Sequence, residues 1–271
     1  MRNFPLILIL LTFLINACIP ATSPTITSTQ SVITTATIAT RSFLTVEKIE
    51  FDLSNQIAER IVIETIPELI SPVTDEPILK HINLILENYK IESQFRAEVN
   101  IYLLKDFQFE VPQHDLLRNV INDKESPQAY IDSINLFAAE DIKIRPQKLD
   151  FRNGSGVSYL YYWGVGPDIP VSNDRLVYQF DGITNDGKYY VKAQLPVSVP
   201  FLPDAIDLSN SGFATPPSGV ISYPDFNDIN SIIDYDNTLR AQFREATADT
   251  FSPSLANLDA FIQSLLILIK E

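Results

Sequence analysis

The chain has 271 residues, with 34 acidic against 20 basic side chains and a formal net charge of −14. That balance excludes nucleic-acid binding through phosphate contacts, which needs clustered Lys and Arg. One cysteine and two histidines exclude internal disulfides, Cys-based zinc sites and most His-dependent catalysis, while a 45% hydrophobic, 20% charged composition belongs to globular chains.

The amino terminus opens with Met1-Arg2-Asn3, continues as an apolar run from Phe4 to Ile15 and closes with Asn16-Ala17-Cys18. This is the layout of a removable signal peptide (residues 1–17) and is too short for a spanning helix, which needs about 20 apolar residues. The run Leu14-Ile15-Asn16-Ala17-Cys18 resembles the lipobox of bacterial lipoproteins, with Asn16 bulkier than usual for its slot. The resemblance implies cleavage before Cys18 and lipid on its sulfur. It thus implies a membrane partner and a place in the cell envelope, on the extracytoplasmic side of a bacterial membrane. A plain secretory signal with a nearby cysteine is the alternative. Each buried CH₂ of the anchor contributes roughly 0.8 kcal/mol, and two chains hold where one does not. Residues 18–43 follow as a tether: 12 of the 25 residues after Cys18 are Thr or Ser, without apolar periodicity. Such a segment stays disordered and spans about 25–30 Å as a coil.

Residues 44–271 are read as one globular domain, with a sub-boundary near 203. Val46 to Leu53 and Arg60 to Glu64 read as strands, the second ended by Pro67. Ile78 to Leu86 fits either period and is taken as a strand, because Phe95 to Leu104 follows closely as another. Val111-Pro112 opens a helix with Leu116, Leu117, Val120 and Ile121 on one face. Ser126-Pro127 opens a second, with Ser126 as N-cap and Tyr130, Ile131, Ile134 and Phe137 inward. Lys148 to Phe151 is a short strand, Asn153-Gly154-Ser155-Gly156 a turn, and Val157 to Trp163 a strand. Arg175 to Phe180 and Tyr189 to Leu195 flank Thr184-Asn185-Asp186-Gly187, a hairpin signal. Pro196, Pro200 and Pro203 end the β region. Ile229, Ile232 and Ile233 start a helical stripe that Phe243 continues. Ser252-Pro253 opens a last helix, with Leu255, Leu258, Phe261, Ile262, Leu265, Leu266 and Ile269 on one face. Segregated strands and helices predict an α+β fold: a mostly antiparallel sheet covered by helices, with a C-terminal helical tail.

Asn173 to Val191, with Leu195-Pro196-Val197, Leu202-Pro203 and the preceding Gly154-Ser155-Gly156, resembles a stretch of uncharacterised secreted bacterial lipoproteins. The resemblance covers roughly residues 95–203. It implies an extracytoplasmic domain and supplies no catalytic residue.

The chemistry-bearing candidates are few. His81 and His114 are the only imidazoles, and a surface or capping role is expected for both. Gly154-Ser155-Gly156 lacks the spacing of a nucleophile elbow. Asp181, Asn185 and Asp186 fail as a calcium loop, because Ile183 takes the second ligand position. No catalytic residue, metal or cofactor is therefore expected. Tyr159, Tyr161 and Trp163 alternate onto one face of their strand as a candidate platform for sugar or peptide, with core packing as the plainer reading. The expected function is a lipid-anchored, non-catalytic module that binds a protein or glycan partner at the envelope. The alternative is a carboxylate-based envelope hydrolase.

Overall fold

The computed structural model describes residues 45–70, 77–106, 111–134, 142–163, 169–206, 216 and 218–270. The expected leader, Cys18 and tether lie outside the described residues, as does Phe137.

Among the described residues, eleven strands and four helices of more than one turn follow one another. The strands are β1 (Thr45–Glu50), β2 (Arg60–Ile66), β3 (Leu69–Ile70), β4 (Pro77–Ile78), β5 (His81–Glu87), β6 (Glu98–Leu103), β7 (Ile142–Phe151), β8 (Gly154–Tyr162), β9 (Leu176–Thr184), β10 (Tyr189–Pro196) and β11 (Leu266–Lys270). The helices are α1 (Val111–Ile121), α2 (Pro127–Ser133), α3 (Ile229–Glu245) and α4 (Leu255–Ser264). Seven strands form one antiparallel sheet in the order β2-β5-β6-β10-β9-β8-β7, and β1 pairs with β11 in a separate ribbon. The chain leaves β6 in mid-sheet, crosses through α1 and α2 to the far edge, and meanders back so that β10 lands beside β6. The fold is α+β, as the segregated pattern implies.

One face of the sheet is apolar across its width. Ile61, Ile63, Ile82, Leu84, Val99, Ile101, Val191, Ala193, Phe180 and Leu160 alternate onto it and pack against Leu239, Phe243, Leu258, Phe261 and Ile262 of α3 and α4. Ser126 caps α2 by accepting from the Ala129 amide at 3.1 Å, as the sequence signals.

Several elements differ from their sequence signals. Gly154 to Gly156 is strand, not turn; the turn is Arg152-Asn153. Gly156 faces Gly182 across the ladder, and the Phe180 ring lies over both. A Cβ on Gly156 would collide with the Asp181 carbonyl oxygen and the Gly182 Cα, so glycine serves close approach here rather than a bend. Strand β7 starts six residues before the expected Lys148, with its register shifted between Ile144 and Gln147. The interruption at Arg145-Pro146 is absorbed as a bulge on an edge strand, where proline's missing N–H costs no ladder bond. Arg145 takes a φ of 57° there, and its Nη1 donates to the carbonyls of Phe243 (3.1 Å) and Ala246 at the end of α3.

The last helix begins after the N-cap Ser254 and stops at Ser264. Leu266 to Lys270 is strand. This apolar run fits either period, and pairing with β1 decides it. Asn153 completes the arrangement: its Oδ1 accepts from the Ile267 amide (3.0 Å) and its Nδ2 donates to the Ile267 carbonyl (2.6 Å). In α3 only Leu239 and Phe243 are buried, while Ile229 and Ile233 stand 65% and 50% exposed. The helix therefore docks through Tyr235, Leu239 and Phe243 rather than through Ile229 and Ile233.

Candidate functional site

The second face of the sheet is built differently. Helices α1 and α2 lie over β7, β8 and β9. Beneath them Leu117, Val120, Tyr130, Ile131, Val157, Tyr159, Tyr161 and Val177 form a smaller core. Beyond that cover, residues at alternate positions of β2, β5, β6 and β10 are mostly polar, with buried Val62 and Ile85 as the apolar exceptions. Register aligns them into rows. Glu64 pairs with Asn83, Asn83 with Asn100, Asn100 with Lys192, and Lys192 with Asp181. Five adjacent strands thus carry one polar row, about 19 Å long at the usual strand spacing. On one side runs an aromatic row, His81-Tyr102-Tyr190. On the other run Glu98, Gln194 and Gln179.

Two parts of this face have defined hydrogen bonding. Near α1, the Asp181 carboxylate is buried and accepts from Tyr190 Oη (2.6 Å), Tyr159 Oη (2.8 Å) and Gln179 Nε2 (3.4 Å). Burial and then the Asp181 charge push both phenols well above the ordinary tyrosine value. They therefore remain protonated donors, which is what a buried carboxylate needs. Toward β5 and β6, Glu98 accepts from Asn83 Nδ2 (3.1 Å) on one oxygen and Asn100 Nδ2 (2.8 Å) on the other. This fixes both amides, since an amide oxygen turned to a carboxylate would repel it. Each Oδ1 is thereby directed away from Glu98, and both are buried without a hydrogen-bond partner. Asn83 and Asn100 are each 8% exposed. A buried unsatisfied acceptor costs about 1–3 kcal/mol, so this strained pair is retained against stability.

Both histidines belong to this face, and neither is on the surface as expected. His81 rests against Tyr102 at 4.7 Å between ring centroids, Tyr102 against Tyr190 at 6.3 Å, and Tyr190 against His114 at 5.0 Å. The chain's two imidazoles end one continuous run of four rings. His81 Nδ1 lies 2.7 Å from the Leu79 carbonyl, so Nδ1 carries the proton. His114 is buried because α1 lies flat on the sheet; burial and then the Arg118 charge lower its pKa. The spacing His114, Leu117, Ile121 places it on the apolar stripe of α1, a signal the surface expectation passed over.

Tyr159, Tyr161 and Trp163 share one face, as alternation requires. Tyr159 and Tyr161 are buried beneath the helical layer; Trp163 is half-buried, its ring 5.0 Å from Tyr161 and 5.5 Å from Phe95. The aromatic rings beside the polar row are instead those of β5, β6 and β10. No single residue in the sequence announces that row. The polar alternation at Asn83, Asn100 and Lys192, within strands otherwise apolar, was its only signal.

On the opposite face, a cavity of about 80 Å³ lies between the β7 bulge and α4, lined by Arg145, Gln147, Ser158, Tyr178 and Asp259. Asp259 accepts from Tyr178 Oη (2.7 Å) and Gln147 Nε2 (2.8 Å). Small-molecule sites measure about 300–1,000 Å³, so this is a packing gap. Among the described residues no group of three or more His, Cys, Asp or Glu side chains is placed to hold a metal ion. No helix among them is long and apolar enough to cross a membrane.

No family model, curated protein or solved structure matches the chain. Its geometry is that of a helix-flanked antiparallel sheet with one apolar face and one face that is partly polar.

Proposed function

We propose that the protein is a lipid-anchored module of the bacterial cell envelope that binds a ligand, without transforming it, on the polar face of β5, β6 and β10. The observation that carries the binding reading is the pair of buried amide oxygens, Asn83 Oδ1 and Asn100 Oδ1, unpartnered in a row of polar side chains. The lipobox-like run ending at Cys18 supports the anchor and the extracytoplasmic location. Two acids of this face are engaged by neutral donors, Glu98 by two amides and Asp181 by two phenols. That arrangement favours binding over carboxylate hydrolysis.

The test of binding is thermal. A ligand that binds only the folded state raises the melting temperature by mass action. Low-mass fractions of envelope extract should raise that of the full chain in detergent and leave an Asn83→Leu/Asn100→Leu double variant unmoved. A panel of fractions that shifts neither protein, or both equally, removes the reading. The anchor is tested separately: Cys18→Ser should move the protein from the detergent phase to the aqueous phase.

A further inference from the structure

We propose that α1 is a cover released by acid: when His114 takes a proton, the helix swings off β8 and β9 about its C-terminal end and uncovers Tyr190 and the Asp181 carboxylate. The device is separate from binding and needs no ligand. Among the described side chains of α1, the buried ones are His114, Leu117 and Val120, so one of the three that seal the helix to the sheet can become a cation. His114 is 5% exposed, and its ring lies 5.0 Å from that of Tyr190. Tyr190 Oη in turn donates to the buried Asp181 carboxylate (2.6 Å). The imidazole therefore closes the helix over the carboxylate and its phenols.

The charged and titratable groups around the ring do not hold a proton on it. From its own helix come Asp115 and Arg118, which pair with each other at 3.2 Å on the exposed side. From β9 comes Asp181, from β10 Tyr190 and from β8 Tyr159, while Tyr130 of α2 is close enough to act on both phenols. Asp181 favours an imidazolium, but its oxygens already accept from Tyr190, Tyr159 and Gln179. Burial and then the Arg118 charge outweigh it, so the docked ring stays neutral and takes up a proton more readily in water. The C-terminal end of α1 is held by other means. Lys148 of β7 donates to the Ile121 carbonyl (2.7 Å) and pairs with Asp123 (2.6 Å). His114 lies about two turns earlier, so its release swings the helix about a fixed end. An isolated helix of 11 residues is marginal in water, so α1 loses backbone protection once it leaves the sheet.

The experiment is amide hydrogen exchange of the full chain in detergent at about pH 7.5 and about pH 5.5, corrected for intrinsic rates. An imidazole in water titrates near 6.5, so this step favours the released state by up to about tenfold while ordinary carboxylates stay ionised. The hydrogen-bonded amides of α1 should lose about three- to tenfold of their protection, and those of β5 should keep theirs. His114→Phe and His114→Gln, which cannot take the proton, should hold α1 equally protected at both pH values. His81→Phe, which removes the other imidazole, should release α1 as the parent does. Protection of α1 that does not change with pH, or that falls as much in the two His114 variants as in the parent, overturns the proposal. So does equal loss in α1 and β5, since that is unfolding of the whole domain rather than release of one helix.

Discussion

The two faces of the seven-stranded sheet are made by the same strands and differ in what covers them. On one face Phe180, Leu160, Val191 and Ile101 meet α3 and α4 in a continuous apolar core. On the other, an apolar core lies under α1 and α2, and the rest of the face mixes buried Val62 and Ile85 with Asn83, Asn100, Glu98 and Lys192. The first face stores the stability of the molecule; the second gives some of it up, in two unsatisfied amide oxygens and a buried carboxylate. Polar side chains over interior strands are costly without use, and that asymmetry carries the functional reading.

The largest effect is expected on the apolar face. Phe180 is fully buried and covers both Gly156 and Gly182. Phe180→Ala should cost about 3–5 kcal/mol, the range of aromatic truncations in cores, read from chemical denaturation. A cost below about 1 kcal/mol would mean that this face is not the stabilising one.

The buried carboxylate comes next. Tyr190→Phe removes the shorter hydrogen bond to Asp181 and should cost about 1.5–3 kcal/mol, as for bonds to charged groups. Tyr159→Phe should cost a similar amount, and the double variant less than the sum, since both act on one carboxylate.

The pH dependence follows from His114. Burial holds its folded pKa below the ordinary imidazole value of about 6.5, so the unfolded chain binds the extra proton first. Stability should therefore fall as pH drops below about 6.5, continuing until the folded-state pKa is passed. His114→Phe should flatten melts measured across that window; an unchanged slope would place the imidazole in water. At the alkaline end the raised phenols of Tyr159, Tyr178 and Tyr190 act in the opposite sense. They lose stability as pH rises through the unfolded value near 10.

The smallest effect is the most diagnostic. Asn83→Leu on the polar face removes an unpaired buried acceptor but also the hydrogen bond that Nδ2 donates to Glu98; the two effects oppose each other, and the net change should stay within about 1.5 kcal/mol. A loss of several kcal/mol would show that the asparagines hold the fold rather than await a ligand.

Much of the architecture was legible because its signals are local. The Asp186-Gly187 hairpin, the Ser126 cap and the alternation of Tyr189, Val191, Ala193 and Leu195 depend on near neighbours. Each element formed where the sequence placed it. The strand at Ile82 to Leu86, ambiguous by period, was settled by its proximity to β6. The misreadings share a cause. Leu266 to Ile269 suits helix or strand equally, and the choice is made by β1, more than 200 residues earlier, with Asn153 satisfying the Ile267 backbone. Gly154 to Gly156 has turn composition, yet the Phe151 and Phe180 rings need the space that side chains would fill.

By itself, then, the sequence determined the acidic character, the segregated α+β order and those strands whose signals are local, because charge, periodicity and capping are written within a few residues. Only the tertiary structure decided the site. Asn83, Asn100, Lys192 and Asp181 come from four strands, and β10 reaches β6 only after the chain has crossed the sheet and returned. Their meeting in one row is a matter of register and topology, which no window of sequence contains.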